Sequence, residues 1–195
     1  MRSLAVDNCF QDMKYDTISI NNTNSAAMAI KYLIDSGHTE IGYLRGKAKI
    51  NNFQYRYLGF CSALRSSNLT IHQEYVLEVG PSLEKVHSDV SGWLASHQKL
   101  PTAFFADNDF IALSAMRAFQ EYGYKIPNDI SIVGFDDTPF CEISVPPLTM
   151  VRVFKEEFGA AAVNRLVEHM KSGTVISSIT VMRTEFVERK SVRKI

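Results

Sequence analysis

The chain has 195 residues, 46% hydrophobic and 22% charged, the make-up of a folded globular protein rather than a disordered one. Twenty-one Lys and Arg balance 21 Asp and Glu, so the zero net charge argues against a polycationic nucleic-acid binder. No uncharged apolar run reaches the ~18 residues of a membrane span, and Arg2, Asp7, Asp12 and Lys14 interrupt any signal-peptide core, which points to the cytoplasm.

Short apolar runs alternate with longer segments of helical period, the pattern of a parallel sheet covered by helices. Ser3–Val6 and Thr17–Ile20 read as strands. Asn24–Ser36 is predicted helical, with Ala26, Ile30, Leu33 and Ile34 on one face. Asn24 is its expected cap, and Gly37 stands where a left-handed residue ends a helix. Ile41–Leu44 is a strand, Arg56–Ser66 a helix with Phe60, Ala63 and Leu64 inward, Tyr75–Val79 a strand and Leu83–Ala95 a helix. Ala103–Ala106 is apolar throughout, as a strand buried on both faces should be. Asp109–Tyr122 follows as a helix burying Ile111, Ala115, Ala118, Phe119 and Tyr122; Gly123 ends it and Pro127 blocks a restart. Ile130–Val133 is a second buried strand, and Asp136–Pro147 a proline-rich loop. Met150–Val153 is extended. Phe158–Met170 aligns Val163, Leu166, Val167 and Met170 as a helix closed by Gly173, and Ile179–Met182 and Glu185–Val187 are again extended.

In an open α/β sheet, ligands bind beyond the carboxyl ends of the strands. Those ends carry the loop Gly46–Tyr55, with Asn52 in it and Arg56 after it; Pro81 and Ser82; Asp107, Asn108 and Asp109; and Gly134, Phe135, Asp136 and Asp137. If the four strands are parallel neighbours, these residues share one rim. A cationic fork, carboxamides, carboxylates and hydroxyls suit a neutral polyol or sugar, and suit a phosphate poorly. Simpler roles stand beside this one. Arg56 could pair with a surface carboxylate, Asn108 and Asp109 could cap a helix, and Asp136-Asp137 could form a turn. Asp136 is the hardest to dismiss, because an unpaired carboxylate directly beyond a buried strand is costly.

No catalytic residue emerges. There is no G-x-G-x-x-G, phosphate-binding loop, H-E-x-x-H or G-x-S-x-G motif. None of His38, His72, His87, His97 and His169 has a second His or Cys at ligand spacing, so no metal site is expected. Cys9, Cys61 and Cys141 are too widely spaced for a zinc site or a disulfide framework. The aspartates at the strand ends could gather around magnesium, but nothing supplies the nucleophile or phosphate cradle of such an enzyme. No motif calls for a cofactor.

Several segments resemble the lactose-repressor/galactose-repressor family of bacterial transcription regulators. Gly37-His38-Thr39-Glu40-Ile41 resembles its G-H-x-x-I, and Arg56-Tyr57-Leu58-Gly59-Phe60 its R-x-x-G-[FY]. Pro101-Thr102-Ala103 with Asn108-Asp109 and Ala112 resembles P-T-A…N-D-x-x-A. Ile126–Asp137 resembles [IV]-P-x-D-[IV]-S-[IV]-x-G-[FY]-D-[DN], Pro146–Thr149 resembles P-P-L-T, and Thr184-Glu185 with Arg189 and Ser191 resembles the closing T-E-L-x-x-R-x-S. The match runs over nearly the whole chain in order.

The resemblance implies an α/β fold of the periplasmic-binding-protein type, with two lobes of parallel sheet flanked by helices and the amino-terminal lobe incomplete. Residues 1–42 and 154–173 would be the remnant of that lobe, and 43–153 and 174–195 the effector-binding and dimerisation lobe. Residues matching Arg56, Asn108 and Asp136 hydrogen-bond a small effector, usually a sugar or a derivative; Asn52 and Ser82 are further candidates on the same rim. Leu113, Ile143 and Ser144 would lie in a homodimer interface. Operator DNA would be met only through a headpiece outside this chain, and no membrane is involved. Two departures stand out. Pro81-Ser82-Leu83 occupies the place of a frequent stacking aromatic, leaving Phe53 or Tyr55 to supply a ring, and Met150 replaces a threonine. The alternatives are an exported sugar-binding protein of the same fold and a small metal-dependent phosphatase or sugar kinase.

Overall fold

The computed structural model describes residues 4–7, 15–96, 99–171 and 176–195; Cys9, His97 and Gly173 lie outside these. The chain runs β1 (Leu4–Val6), β2 (Asp16–Ile20), α1 (Asn22–Asp35), β3 (Ile41–Gly46), α2 (Asn51–Ser66), a 3-10 turn (Gln73–Tyr75), β4 (Val76–Val79), α3 (Leu83–Ser96), β5 (Ala103–Ala106) and α4 (Asp109–Glu121). It continues with β6 (Ser131–Asp136), α5 (Phe140–Ile143), β7 (Thr149–Arg152), α6 (Lys155–Lys171), β8 (Ile179–Met182) and β9 (Glu185–Val187).

Among the described residues the strands form two sheets. The larger has the order β4-β3-β5-β6-β7-β9, parallel except where β9 runs against β7; the smaller, β1-β2-β8, is parallel. The mixed α/β architecture with parallel sheets flanked by helices is the one expected. Alternation along β5 explains how one short strand serves two cores, since neighbouring side chains leave a strand on opposite faces. Phe104 joins Trp93, Phe119 and Val90 beneath α3 and α4, while Phe105 joins Tyr43, Phe60 and Ile30 beneath α1 and α2. Gly59 lets α1 and α2 meet closely, because a Cβ there would stand 2.2 Å from the Thr23 carbonyl oxygen. Gly37 and Gly123 end their helices at φ +98° and +90°. Met150, the departure from the family threonine, is fully buried, with its sulfur against Gly134.

Several expectations shift. Asn21 caps α1, accepting the Asn24 N–H at 3.2 Å, so the cap precedes Asn24. The second helix begins at Asn51, because no glycine or proline between there and Arg56 stops it. Asn52, Phe53 and Arg56 therefore share one helical face. Tyr122 falls past the last turn of α4 and is 48% exposed. The loop after Asp136 contains the short helix α5.

The largest difference concerns α6. Most of its apolar row faces outward, with Met170 75% exposed, Val163 and Leu166 also open and Val167 half-buried, while Ala162 and His169 turn inward. Docking relies on a polar pin instead. Buried Asp16 on β2 accepts Arg165 Nε and Nη2 at 2.9 and 2.8 Å and the Ser178 N–H and hydroxyl at 2.9 and 2.7 Å; His169 Nε2 lies 2.6 Å from its other oxygen. The sheets also divide the chain elsewhere than the expected lobe boundaries. α1, assigned to the first lobe, packs on the large sheet, and β8, assigned to the second, pairs in the small one. Among the described residues, no helix is long and apolar enough to cross a membrane.

His38 is fully buried, its Nδ1 2.8 Å from Thr102 Oγ1 and its Nε2 3.2 Å from the Arg193 carbonyl. The neutral ring satisfies both, donating from Nε2 and accepting at Nδ1. Burial holds the imidazole below its ordinary 6.5, with the bond to Arg193 opposing in part. The unfolded chain therefore takes the proton first as pH falls. The stability His38 provides is present above pH 6.5 and lost as pH drops through the depressed folded value. Urea midpoints compared at about pH 7.5 and pH 5.5 should show a smaller acid-side loss in His38→Gln than in the unaltered chain.

Candidate effector site

Strand order sets where a ligand fits. The chain passes from β3 outward to β4, then crosses back over β3 to β5, so the connections diverge between β3 and β5. At such a switch point the loops part and leave a crevice beyond the carboxyl ends. A cavity of about 510 Å³ lies there. Gly46, Lys47 and Ala48 enter it from the end of β3, Gly80, Pro81 and Ser82 from β4, and Asn108 from β5; Phe53, Leu83, Val86, Phe110 and Ile111 supply its apolar wall. Of the two aromatics expected to stand in for the missing ring, Phe53 lines the cavity. Its ring seats against Gly46, where a Cβ would come within 2.4 Å.

Beside the cavity is a buried polar network centred on Arg56, which is 3% exposed. Nε donates to Asn22 Oδ1 at 2.8 Å, Nη1 to the Asp107 carbonyl, and Nη2 to Asp136 Oδ1 at 3.3 Å. The guanidinium carbon stands 3.7 Å from the centre of the Phe135 ring, a desolvated cation–π contact. Asn22 Nδ2 in turn donates to Asn52 Oδ1 at 3.2 Å. Asp136 is the last residue of β6, at φ +91°, followed by Asp137 at +57°. Two successive left-handed residues that are not glycine are strained. The kink sends the two carboxylates to different partners, Asp136 to Arg56 and Asp137 to Arg152 and Arg189. Burial pushes the Asp136 carboxyl up; the Arg56 charge opposes this without cancelling it.

The structure thus brings Arg56, Asp136 and Asn52 into one hydrogen-bonded group, and places Asn108 and Ser82 on the cavity wall. The two sets meet at the Asp107-Asn108 step, since Arg56 grips the carbonyl of Asp107. The capping role that the sequence left open is also filled. Asn108 Oδ1 accepts the Ile111 N–H at 2.9 Å and Ser82 Oγ the Lys85 N–H at 3.2 Å. Asp109 ties the start of α4 to Thr138, whose N–H it accepts at 3.0 Å. Tyr55 is half-buried and lies outside the cavity lining. Of the expected dimer residues, Ile143 is 76% exposed, Leu113 packs partly into the core, and the Ser144 hydroxyl is held by the carbonyls of Cys141 and Pro146, 2.9 Å from each.

Three participants carry no sequence signature of their role: Asn22, Tyr43 and Lys47. Asn22 reads as one more polar residue at a helix start, and Tyr43 as one more apolar strand residue. Tyr43 donates its hydroxyl to Asp107 Oδ1 at 2.5 Å, and the Gly46 N–H donates to Asp107 Oδ2 at 2.8 Å. Burial pushes the Asp107 carboxyl up to about 7, against the opposing pull of Tyr43, Gly46 and Arg56. The folded chain therefore holds this proton more tightly than the unfolded one. Its contribution is full below pH 3.8 and lost as pH rises through about 7. Melting temperatures taken from roughly pH 6 to pH 8.5 should fall less steeply for Asp107→Asn than for the unaltered chain.

A family model described as a periplasmic binding protein-like domain matches residues 30–192. The chain belongs to the periplasmic-binding-protein-like family. Within that family its likeness is to the lactose-repressor/galactose-repressor regulators. The HTH-type transcriptional repressor PurR of Vibrio vulnificus (strain CMCP6) is 36% identical over 180 residues, 92% of this chain and 54% of that protein. This periplasmic-binding-protein-like chain spans about half the length of the curated relatives it matches. A LacI family transcriptional regulator from Enterococcus faecium with bound ribose superposes with a TM-score of 0.89 at 22% identity, covering 100% of this chain and 71% of that one. A complex of the transcriptional regulator CelR with cellobiose gives 0.89 at 23% identity, covering 96% and 58%.

Proposed function

We propose that this chain is the effector-sensing and dimerisation core of a cytoplasmic bacterial transcriptional repressor, and that its effector is a sugar or sugar derivative. The observation that supports this most is the contiguity of the Arg56–Asp136–Asn52 network with the switch-point cavity lined by Asn108 and Ser82. Arg56 and Asp136 neutralise one another, so the rim offers donors and acceptors without a strong net charge. That is a match for hydroxyl groups, each of which gives and takes a hydrogen bond. The apolar wall of Phe53, Pro81 and Phe110 suits the C–H face of a sugar ring. The relatives bound to ribose and cellobiose agree with this class of ligand.

In this reading the large sheet with its helices is the carboxy-terminal lobe, and β1, β2, β8 and α6 belong to the amino-terminal one. Effector between the lobes favours one arrangement by its difference in affinity for the two. In the whole repressor that shift re-spaces two headpieces on operator DNA, with the dimer formed through the surface bearing Leu113, Ile143 and Ser144. The role is binding without turnover. Isothermal calorimetry against mono- and disaccharides, including ribose and cellobiose, tests it. Binding that disappears in Asp136→Ala supports the reading. Chemical conversion of a sugar phosphate by the purified chain, lost in Asp136→Asn, would replace it with the enzyme alternative.

A further inference from the structure

We propose that Asn22 is the positioning residue for Arg56: its carboxamide sets the direction of the guanidinium and ties it to the crossover between the two sheets. The proposal rests on the reading of the Arg56 network as an effector site. Asn22 is 4% exposed, and both ends of its carboxamide are engaged. Oδ1 accepts the Arg56 Nε–H at 2.8 Å, while Nδ2 donates to Asn52 Oδ1 at 3.2 Å and stands 3.5 Å from the Ile20 carbonyl. A purely local role at the helix start is already filled, since Asn21 caps α1. The bonds of Asn22 run to α2 and to the last residue of β2 instead.

The geometry shows what Asn22 adds. The Phe135 ring, its centre 3.7 Å from the guanidinium carbon, bounds the fork on one side but offers no directional hydrogen bond to orient it. Asp136 and the Asp107 carbonyl hold the far end, and either can be met over a range of angles. The Nε–H is the one donor on the near side of the fork, and Asn22 fixes it. The same carboxamide stands 3.5 Å from the Ile20 carbonyl, so the Arg56 contact lies at the point where β2 of the small sheet hands the chain to α1 of the large one. An arginine that reorients on ligand contact would therefore be felt at that crossover.

The 195-residue chain, labelled with nitrogen-15 at arginine, permits a direct test by NMR. The Arg56 Nε–H signal is assigned by its loss in Arg56→Lys. In Asn22→Leu, close in volume but without an acceptor, exchange of this proton with water should be about tenfold faster. In Asn22→Asp, which keeps an acceptor, exchange should stay slow, and the backbone amides of α2 should hold their positions in both variants. An unchanged signal in Asn22→Leu would overturn the proposal, as would equal loss in Asn22→Asp. Should the leucine variant fail to fold, Asn22→Ser, too short to reach Nε, takes its place under the same criteria. Titration of these variants with ribose and cellobiose should show affinity lost in Asn22→Leu and restored in Asn22→Asp. If neither sugar binds the unaltered chain, that counts against the sugar reading alone, and the arginine signal still decides the role of Asn22.

Discussion

Replacing Arg56 with alanine is expected to lower the melting temperature by roughly 10 °C and to abolish sugar binding. The size follows from what the truncation leaves behind. Buried Asn22 and the Asp107 carbonyl lose a donor at once, and so does the half-buried carboxylate of Asp136. Breaking a buried ion pair from one side costs about 3–5 kcal/mol; the partial exposure of Asp136 puts this pair at the lower end, and the two other acceptors left without Arg56 add to it. The Phe135 contact is lost as well. Arg56→Lys keeps the charge but not the planar fork, and should recover only part of the loss. Differential scanning calorimetry of the three chains gives the comparison. A melting temperature for Arg56→Ala within about 2 °C of the unaltered chain would show that the network does not bear on stability.

The second large effect is expected at Asp16. In Asp16→Ala the hydroxyl and N–H of Ser178, together with Arg165, lose their common acceptor, and His169 loses the carboxylate oxygen beside it. Leaving such groups unmet costs about 2 kcal/mol. The effect should be local, because the apolar row of α6 gives little else to hold it. Backbone amides of α6 should exchange roughly 30-fold faster, while those of β5 and β6 remain protected. The pH dependence has a definite sign. Burial pushes the Asp16 carboxyl up, but hydrogen bonds from Ser178 and Arg165 outweigh it and hold the group below its ordinary 3.8. The stability it provides is thus present above pH 3.8 and lost as pH falls through the lower folded value. Asp16→Asn should remove that acid-limb loss in a denaturant titration.

Much of this molecule can be read from residues close together in the chain. The run Ala103–Ala106 announces a strand covered on both sides, and the structure puts Phe104 and Phe105 into separate cores. The spacing Arg56 to Gly59 has a mechanical reading too, since the arginine faces the rim while the glycine admits the neighbouring helix. The fold class follows from such local signals. What escapes them depends on partners far away in sequence. The row Val163, Leu166 and Met170 has the period of a buried face, yet the docking contact is Arg165 with Asp16, 149 residues distant. Asn22 meets Arg56 only once β2, α1 and α2 have assembled. The early start of α2 is different in kind: no breaker separates Asn51 from Arg56, but no side-chain cap marks the first turn either.

The kink at Asp136 and Asp137 has a consequence for how this core can change over time. A single bent dipeptide distributes two like charges to unrelated tasks, one holding Arg56 beside the switch-point cavity and the other gripping Arg152 and Arg189 near the last strands. Exchange of the first carboxylate would alter the surroundings of Arg56 while leaving the carboxy-terminal segment anchored; exchange of the second would do the reverse. A one-residue insertion or deletion between them would scramble both assignments together, so this dipeptide tolerates substitution better than a change of length.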